Sequence, residues 1–220
     1  ELYDTGIAQA KALGVRMLDA QVLGVGGFDN FVVKTTEGEF ETQSLILATG
    51  SKRAAPKIPG VKEFEGRGVS YCAICDAFFY RGKDVAVLGN GDFAMHEAKE
   101  LANTASTVTI YTNGEEPEFT LEGNISVNTM KIQSVEGDEL VSGIRLAPDM
   151  QAQETDSDTE KAVGEFCHAD GLFIAMGTAG STEIARQMGA ELTEKGNILV
   201  NENMETTIPG LYAAGDCTGG

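Results

Sequence analysis

Two cysteines three positions apart, Cys72 and Cys75, with Asp76 directly after them, are the residues of this chain best equipped for chemistry. Thiols at Cys-x-x-Cys spacing can close a small-ring disulfide that carries two electrons, or can supply two thiolates to zinc. The adjacent carboxyl favours redox work, because a leaving thiolate needs a proton donor close by. A helix starting after Cys75 would add its positive dipole end and lower a thiol pKa. A zinc site would need two more ligands from Cys167, His168, Cys217 and His96. Cys167 and His168 are neighbours in sequence, a poor spacing for two corners of one tetrahedron. Cys167 and Cys217 read instead as incidental buried thiols, and His96 as a surface or packing histidine.

The second constellation is Gly89-Asn90-Gly91-Asp92-Phe93-Ala94, a G-x-G-x-x-A pattern between an apolar strand and a helix. There Gly89 permits a tight turn and Gly91 lets a pyrophosphate approach the backbone. Ala94 lets helix and strand pack closely, with phosphates at the helix N-terminus. The following strand ends in Tyr111-Thr112-Asn113-Gly114 and then Glu115-Glu116. That is neither the basic residue of a 2′-phosphate site nor the single strand-end carboxylate of an NAD site, and two glutamates repel phosphate. A third segment, ending Ala213-Ala214-Gly215-Asp216, can present a carboxylate to sugar-type hydroxyls, although an ordinary strand and turn would look the same.

The elements that must position these groups follow from periodicity and punctuation. Leu2 to Leu18 reads as a helix, stopped by Gly14, that leads into a strand. Strands then alternate with turns through a hairpin that returns to Leu45-Ile46-Leu47-Ala48, ending in Thr49-Gly50. Ser51 to Gly68, with Pro56, Pro59 and Gly60, reads as a connector. The run from Lys83 to Leu88, the glycine turn, a helix to about Ala105 and the strand Ser106–Thr112 make a βαβ unit and imply a parallel sheet. Further strands are expected at Ser126–Ile132, Leu140–Leu146, around Leu172–Ile174, and twice within 197–216. A short helix is expected near Ser181. Met150 to Val163, which includes the acidic tract Glu154–Glu160, reads as a surface hairpin tip. Phe78, Phe79 and Tyr80 read as core.

The chain has 220 residues, 34 acidic against 16 basic, for a formal net charge of -18. Nucleic acid and anionic membrane surfaces are poor partners for that balance. No stretch approaches the ~20 apolar residues of a membrane span, and four scattered cysteines do not make a secreted disulfide framework, which favours a cytoplasmic setting. Many glycines (27) and few prolines (5) suit the tight turns of an α/β nucleotide-binding fold.

The strings "ILATGS", "EGRGVSYCAICDAFFYRGKDVAVLGNGDFAMHEA" and "TTIPGLYAAGD", in this order and at these separations, resemble the low-molecular-weight thioredoxin reductase family across essentially the whole chain. The resemblance implies an α/β protein of two Rossmann-like three-layer domains, a nicotinamide-binding domain inserted in an FAD-binding domain. The FAD domain would comprise 1–66 and 179–220, and the inserted domain, carrying the dithiol, 67–178. Cys75 would face the flavin, Cys72 would attack the partner disulfide, and Asp76 would give and take the proton. Thr49 and Gly50 would lie near the FAD-domain crossover, and Gly215 and Asp216 would hold the ribityl and pyrophosphate region. Gly89, Gly91, Asp92 and Ala94 would line the nicotinamide site.

Two departures bear on function. The family's first glycine fingerprint would lie upstream of Glu1 and its closing segment downstream of Gly220, so the sequence reads as truncated at both ends. The family's basic His-Arg-Arg cluster is replaced by Tyr111-Thr112-Asn113, and its acidic helix pair becomes His96-Glu97. The expected activity is reduction of thioredoxin or a similar disulfide protein through FAD and the dithiol, by a homodimer when full length. The donor stays open among NADPH, NADH and ferredoxin. An oxygen-using dithiol oxidase and a zinc-binding or regulatory module remain alternatives.

Overall fold

The computed structural model describes residues 2–27, 29–50, 56–148, 164–177 and 180–219. Met150 to Val163 therefore lies outside the described residues, as does the start of the Ser51–Gly68 connector. The chain opens with helix α1 (Leu2–Ala12) and an antiparallel meander of β1 (Val22–Gly26), β2 (Phe31–Thr35) and β3 (Gly38–Thr42). The Glu37-Gly38 turn accounts for the tight β2–β3 register, Phe31 opposite Thr42 and Thr35 opposite Gly38. The next strand, β4 (Leu45–Leu47), departs from the expected hairpin. It leaves the meander and pairs in parallel with the last strand, β13 (Leu211–Ala213). Leu47 is buried beside β13, while Ile46 on the other face is 66% exposed.

Between those partners lies a fully parallel five-stranded sheet in the order β5-β12-β6-β7-β8. Its strands are β5 (Val69–Ser70), β6 (Asp84–Leu88), β7 (Thr107–Tyr111), β8 (Ile125–Asn128) and β12 (Gly171–Ile174). Strands β6 and β7 are joined by helix α3 (Asp92–Ala102), completing the βαβ unit. α3 buries Phe93, Ala94, Glu97, Ala98 and Leu101, positions that share one face at 3.6 residues per turn. That face joins a continuous core holding Val85, Val87, Val108, Ile110 and Phe173, which also reaches Val25, Phe31, Leu47, Leu211 and Cys217 beside the flanking strands. The opposite face of the sheet packs Ala86, Leu88, Leu172 and Ile174 against a second meander, β9 (Ile132–Gly137), β10 (Val141–Leu146) and β11 (Phe166–His168).

Three further expectations are corrected. Ser126–Ile132 is not one strand. β8 ends at Asn128, and a turn in which Met130 N donates to Asn128 Oδ1 at 2.9 Å separates it from β9. Of the two strands expected within 197–216 only β13 forms. Leu192–Ile198 and Glu205–Tyr212 are isolated bridges, and Met204, at φ 63°, breaks any continuous strand. Phe78 and Phe79 are not core, being 72% and 68% exposed, while Tyr80 alone packs, edge-on to Phe173 with centroids 5.1 Å apart. Among the described residues no helix is long and apolar enough to cross a membrane.

Candidate functional site

Cys72 and Cys75 are joined by a disulfide, with Cα atoms 5.4 Å apart. Strand β5 delivers them: after Ser70 the chain leaves the sheet and winds into the short helix α2 (Ala73–Asp76). This helix begins after Cys72, not after Cys75. Cys72 is its N-cap, in extended conformation, and its Sγ accepts from Cys75 N at 3.1 Å. The pair therefore straddles the first turn. Cys72 is 2% exposed, whereas Cys75 is exposed. A 3-10 turn (Ala77–Tyr80) follows and holds Phe78 and Phe79 outward beside the disulfide.

Asp76 is anchored by a residue that the sequence reading passed over. Ser70 Oγ donates to Asp76 Oδ2 at 2.6 Å and accepts from Cys72 N at 3.1 Å. One buried hydroxyl thus links the carboxylate to the backbone of the first cysteine. The available signal was a serine two residues before Cys72, at the end of an apolar strand. Asp76, Ser70, Tyr80, Lys83 and Asp170 line a cavity of about 330 Å³. Burial, with Asp76 and Asp170 adding negative charge, holds the Tyr80 hydroxyl above its ordinary pKa. Glu97 of α3, noted in the sequence only as half of the His96-Glu97 pair, accepts from Ala73 N at 2.7 Å.

The glycine loop lies where β6 ends. Sheet order puts β7 on one side of β6 and β12 on the other, so this is a switch point at the carboxyl edge of a parallel sheet. A Cβ on Gly89 would stand 2.2 Å from Ala175 O and 2.8 Å from the Ala94 methyl, while one on Gly91 would meet nothing within 4 Å. Asp92 opens α3 and, with Met95, His96, Lys99, Thr120 and Glu122, lines a cavity of about 310 Å³. The loop after β7 lies against this turn. Glu118 N donates to Asn90 O at 2.6 Å, and Lys99 pairs with Glu122 at 2.6 Å. His96 packs towards Gly24 of β1, and burial, with Lys34 and Lys99 nearby, lowers its pKa against the opposing effect of Glu100.

Thr49 and Gly50 follow β4, and Gly215 and Asp216 follow β13. The parallel register, Leu47 opposite Ala213, brings both pairs to one carboxyl edge. Thr49 is tied to the start of α4 (Ser181–Gln187), its N and Oγ1 lying 3.1 and 2.5 Å from Ser181 Oγ. Gly215 has φ 79° and ψ -156°, a conformation that a side chain would strain. The exposed Asp216 that follows it accepts from Gly219 N at 3.0 Å through its backbone carbonyl, while among the described residues its carboxylate makes no protein hydrogen bond. A backbone that only glycine adopts easily, leading to a carboxylate free to accept, fits a hydroxyl-bearing dinucleotide such as FAD. The dithiol and the glycine loop meet through α3, whereas the Gly215–Asp216 edge belongs to a separate sheet. The zinc alternative finds no support in placement. Among the described residues the one metal-competent grouping is Asp84, His168 and Asp170, and it includes neither cysteine of the pair. Cys217 is buried, and Cys167 is only partly so.

Parallel sheets with a glycine turn at the switch point, and a disulfide packed on the helix of that turn, define a dinucleotide-fold protein with a helix-borne redox pair. Residues 7–220 match the pyridine nucleotide-disulphide oxidoreductase family, and the chain belongs to it. It is 34% identical over 94% of its length to a thioredoxin reductase of Aquifex aeolicus, of which it spans 65%. The atypical thioredoxin reductase TRi from Desulfovibrio vulgaris Hildenborough is 38% identical, with a TM-score of 0.86 over 100% of this chain and 72% of that one. A ferredoxin-flavin thioredoxin reductase from Clostridium acetobutylicum is 29% identical, with a TM-score of 0.61 over 100% of this chain and 70% of that one.

Proposed function

We propose that the chain is the dithiol-bearing portion of a cytoplasmic, homodimeric flavoprotein that reduces a thioredoxin-type protein disulfide. In this reading 1–66 and 179–220 contribute to the FAD domain and 67–178 form the inserted domain. The observation that carries it is the Cys72–Cys75 disulfide on α2 with Asp76 held by Ser70. Gly215, Asp216, Thr49 and Gly50 would hold FAD, which when bound supplies the two-electron carrier between donor and disulfide.

Opening the Cys72–Cys75 bond takes two electrons and two protons and gives two thiols. Cys72 ionises, its thiolate keeping the Cys75 N–H that already points at its sulfur. Once opening of the pair uncovers it, since Cys72 is only 2% exposed in the disulfide form, that thiolate attacks one sulfur of the partner's disulfide, forming a mixed disulfide and expelling a partner thiolate. Cys75 then attacks Cys72 Sγ, the internal disulfide re-forms, and the partner leaves as a dithiol. Asp76 takes the proton that Cys75 sheds and returns it to the departing thiolate, with the 330 Å³ cavity connecting it to water. The exposed Phe78 and Phe79 give the partner an apolar footing beside the sulfurs.

The electron donor in this reading does not dock in the glycine crevice. Glu118 is hydrogen-bonded to that turn through its backbone, and Asp92, with Glu115 and Glu116 after β7, adds charge that opposes a pyrophosphate and a 2′-phosphate alike, while Glu122 is paired with Lys99. The likeness to a ferredoxin-flavin enzyme points to reduced ferredoxin as the donor. The test is anaerobic reduction of the FAD-loaded full-length protein by NADPH, NADH or reduced ferredoxin, followed by flavin absorbance. Bleaching by ferredoxin alone is expected. Rapid bleaching by NADPH would overturn the donor assignment while leaving the reductase intact. Bleaching only by a dithiol partner, with oxygen uptake, would instead make the protein a dithiol oxidase.

A further inference from the structure

Glu97 is the one carboxylate in the buried interior among the described residues, 1% exposed on the apolar face of α3 beside Phe93, Ala94, Ala98 and Leu101. Burying an ionised carboxylate costs several kcal/mol unless partners hold it. Here Oε2 accepts from Ala73 N at 2.7 Å. Ala73 is the first residue of α2 and is covalently next to Cys72, so the carboxylate sits one peptide unit from the buried half of the redox pair. No step of the exchange chemistry uses it.

We propose that Glu97 is a positioning residue for the disulfide, fixing the start of α2 to α3 and, by its charge, keeping the Cys72–Cys75 pair strongly reducing. Two effects follow from this hydrogen bond. The hydrogen bond sets where α2 begins, and with it the placement of Cys72 as N-cap. Held ionised by that N–H, Glu97 would place a negative charge where water is excluded and so oppose formation of a second negative charge on the Cys72 sulfur. Reduction takes up two electrons and two protons to give two thiols, and ionisation of Cys72 then returns one proton. Whatever disfavours that thiolate disfavours the reduced state and lowers the potential of the pair. A reductase that must pass electrons onward benefits from this poise.

The inference rests on the dithiol reading above, and one experiment separates the two. The full chain is equilibrated with graded mixtures of reduced and oxidised dithiothreitol. Free thiols are then alkylated, and the peptide containing Cys72 and Cys75 is weighed. Glu97→Gln keeps an oxygen for Ala73 N–H but removes the charge. It is expected to shift the equilibrium at least tenfold towards the dithiol, about 30 mV for a two-electron couple, and to lower the pH at which Cys72 becomes alkylated. Glu97→Met, neutral and of similar volume, carries the same expectation should the glutamine variant not fold. Glu97→Asp keeps the charge but shortens the reach, so its equilibrium stays within twofold of wild type while its thermal midpoint falls. A neutral variant within twofold of wild type overturns the inference, as does an aspartate variant that shifts as far as the glutamine one. A wild-type pair that stays oxidised, or stays reduced, at every dithiothreitol ratio would sink the dithiol reading itself.

Discussion

Replacing Ser70 by alanine tests whether one buried hydroxyl organises the dithiol. The side chain is 7% exposed, donates to Asp76 Oδ2 at 2.6 Å and accepts from Cys72 N at 3.1 Å. Its removal strips the N–H of a residue that is only 2% exposed, and an orphaned buried donor costs about 1–3 kcal/mol. The bond to Asp76 is charge-assisted, the kind worth about 1.5–3 kcal/mol. Asp76, however, borders a cavity of about 330 Å³ and recovers part of that from water. The net loss is therefore about 2–3 kcal/mol, which for a chain of this size lowers the thermal midpoint by roughly 4–12 °C. The assay is a double-mutant cycle of Ser70→Ala and Asp76→Ala followed by thermal unfolding. Coupling of at least about 0.5 kcal/mol is expected, because the two side chains share one bond. Asp76→Asn keeps an oxygen for Ser70, so it loses less stability than Ser70→Ala yet slows thiol–disulfide exchange with the partner. A Ser70→Ala protein that melts within a degree of wild type, or a cycle that is simply additive, refutes the reasoning.

The glycine loop and the buried histidine give two further expectations. Gly89→Ala puts a methyl 2.2 Å from Ala175 O. It should lose about 1–3 kcal/mol by overpacking, whereas Gly91→Ala, which meets nothing within 4 Å at φ -109°, should melt with wild type; equal losses in calorimetry would contradict the geometry. His96 has its pKa lowered by burial, so the unfolded chain binds the proton first. Its contribution is fully present above about pH 6.5 and is lost as pH falls through the depressed folded value. His96→Gln should therefore flatten the decline of the thermal midpoint on acidification relative to wild type, and parallel curves for the two proteins would contradict this.

Much of the architecture was legible because its signals are local. The apolar run Asp84–Leu88, the glycine turn and the amphipathic α3 read directly as a βαβ unit, and the order of three short motifs carried the family. The failures have two causes, contacts distant in sequence and local turns that composition does not announce. Leu45–Leu47 pairs with Leu211–Ala213, a partner more than 160 residues away that no local pattern names. Phe78 and Phe79 carry the composition of core residues, but the 3-10 turn after α2 points them outward, and only Tyr80 finds the ring of Phe173. Ser70 and Glu97 were invisible as site residues because serine at a strand end and glutamate on a helix are commonplace. Only the fold shows that both end at the backbone of the dithiol.

The glycine motif divides between strand–helix packing and ligand approach. Gly89 has no room for a methyl, because Ala175 at the end of the neighbouring strand and Ala94 on α3 already fill the space. Those two positions are therefore demanded by strand–helix packing whatever binds above them. Gly91 is under no such demand, since its missing side chain faces open space. Only that second glycine reports on close approach of a phosphate. Here the approach is opposed by the acidic loop whose Glu118 N–H is bonded to Asn90 O, inside the turn itself. Gly89 and Ala94 in this match thus state how β6, α3 and β12 fit together, and Gly91 alone bears on a ligand. On the proposed ferredoxin reading Gly91→Ala leaves turnover unchanged, and a variant that loses reduction by NADPH or NADH would show the crevice in use.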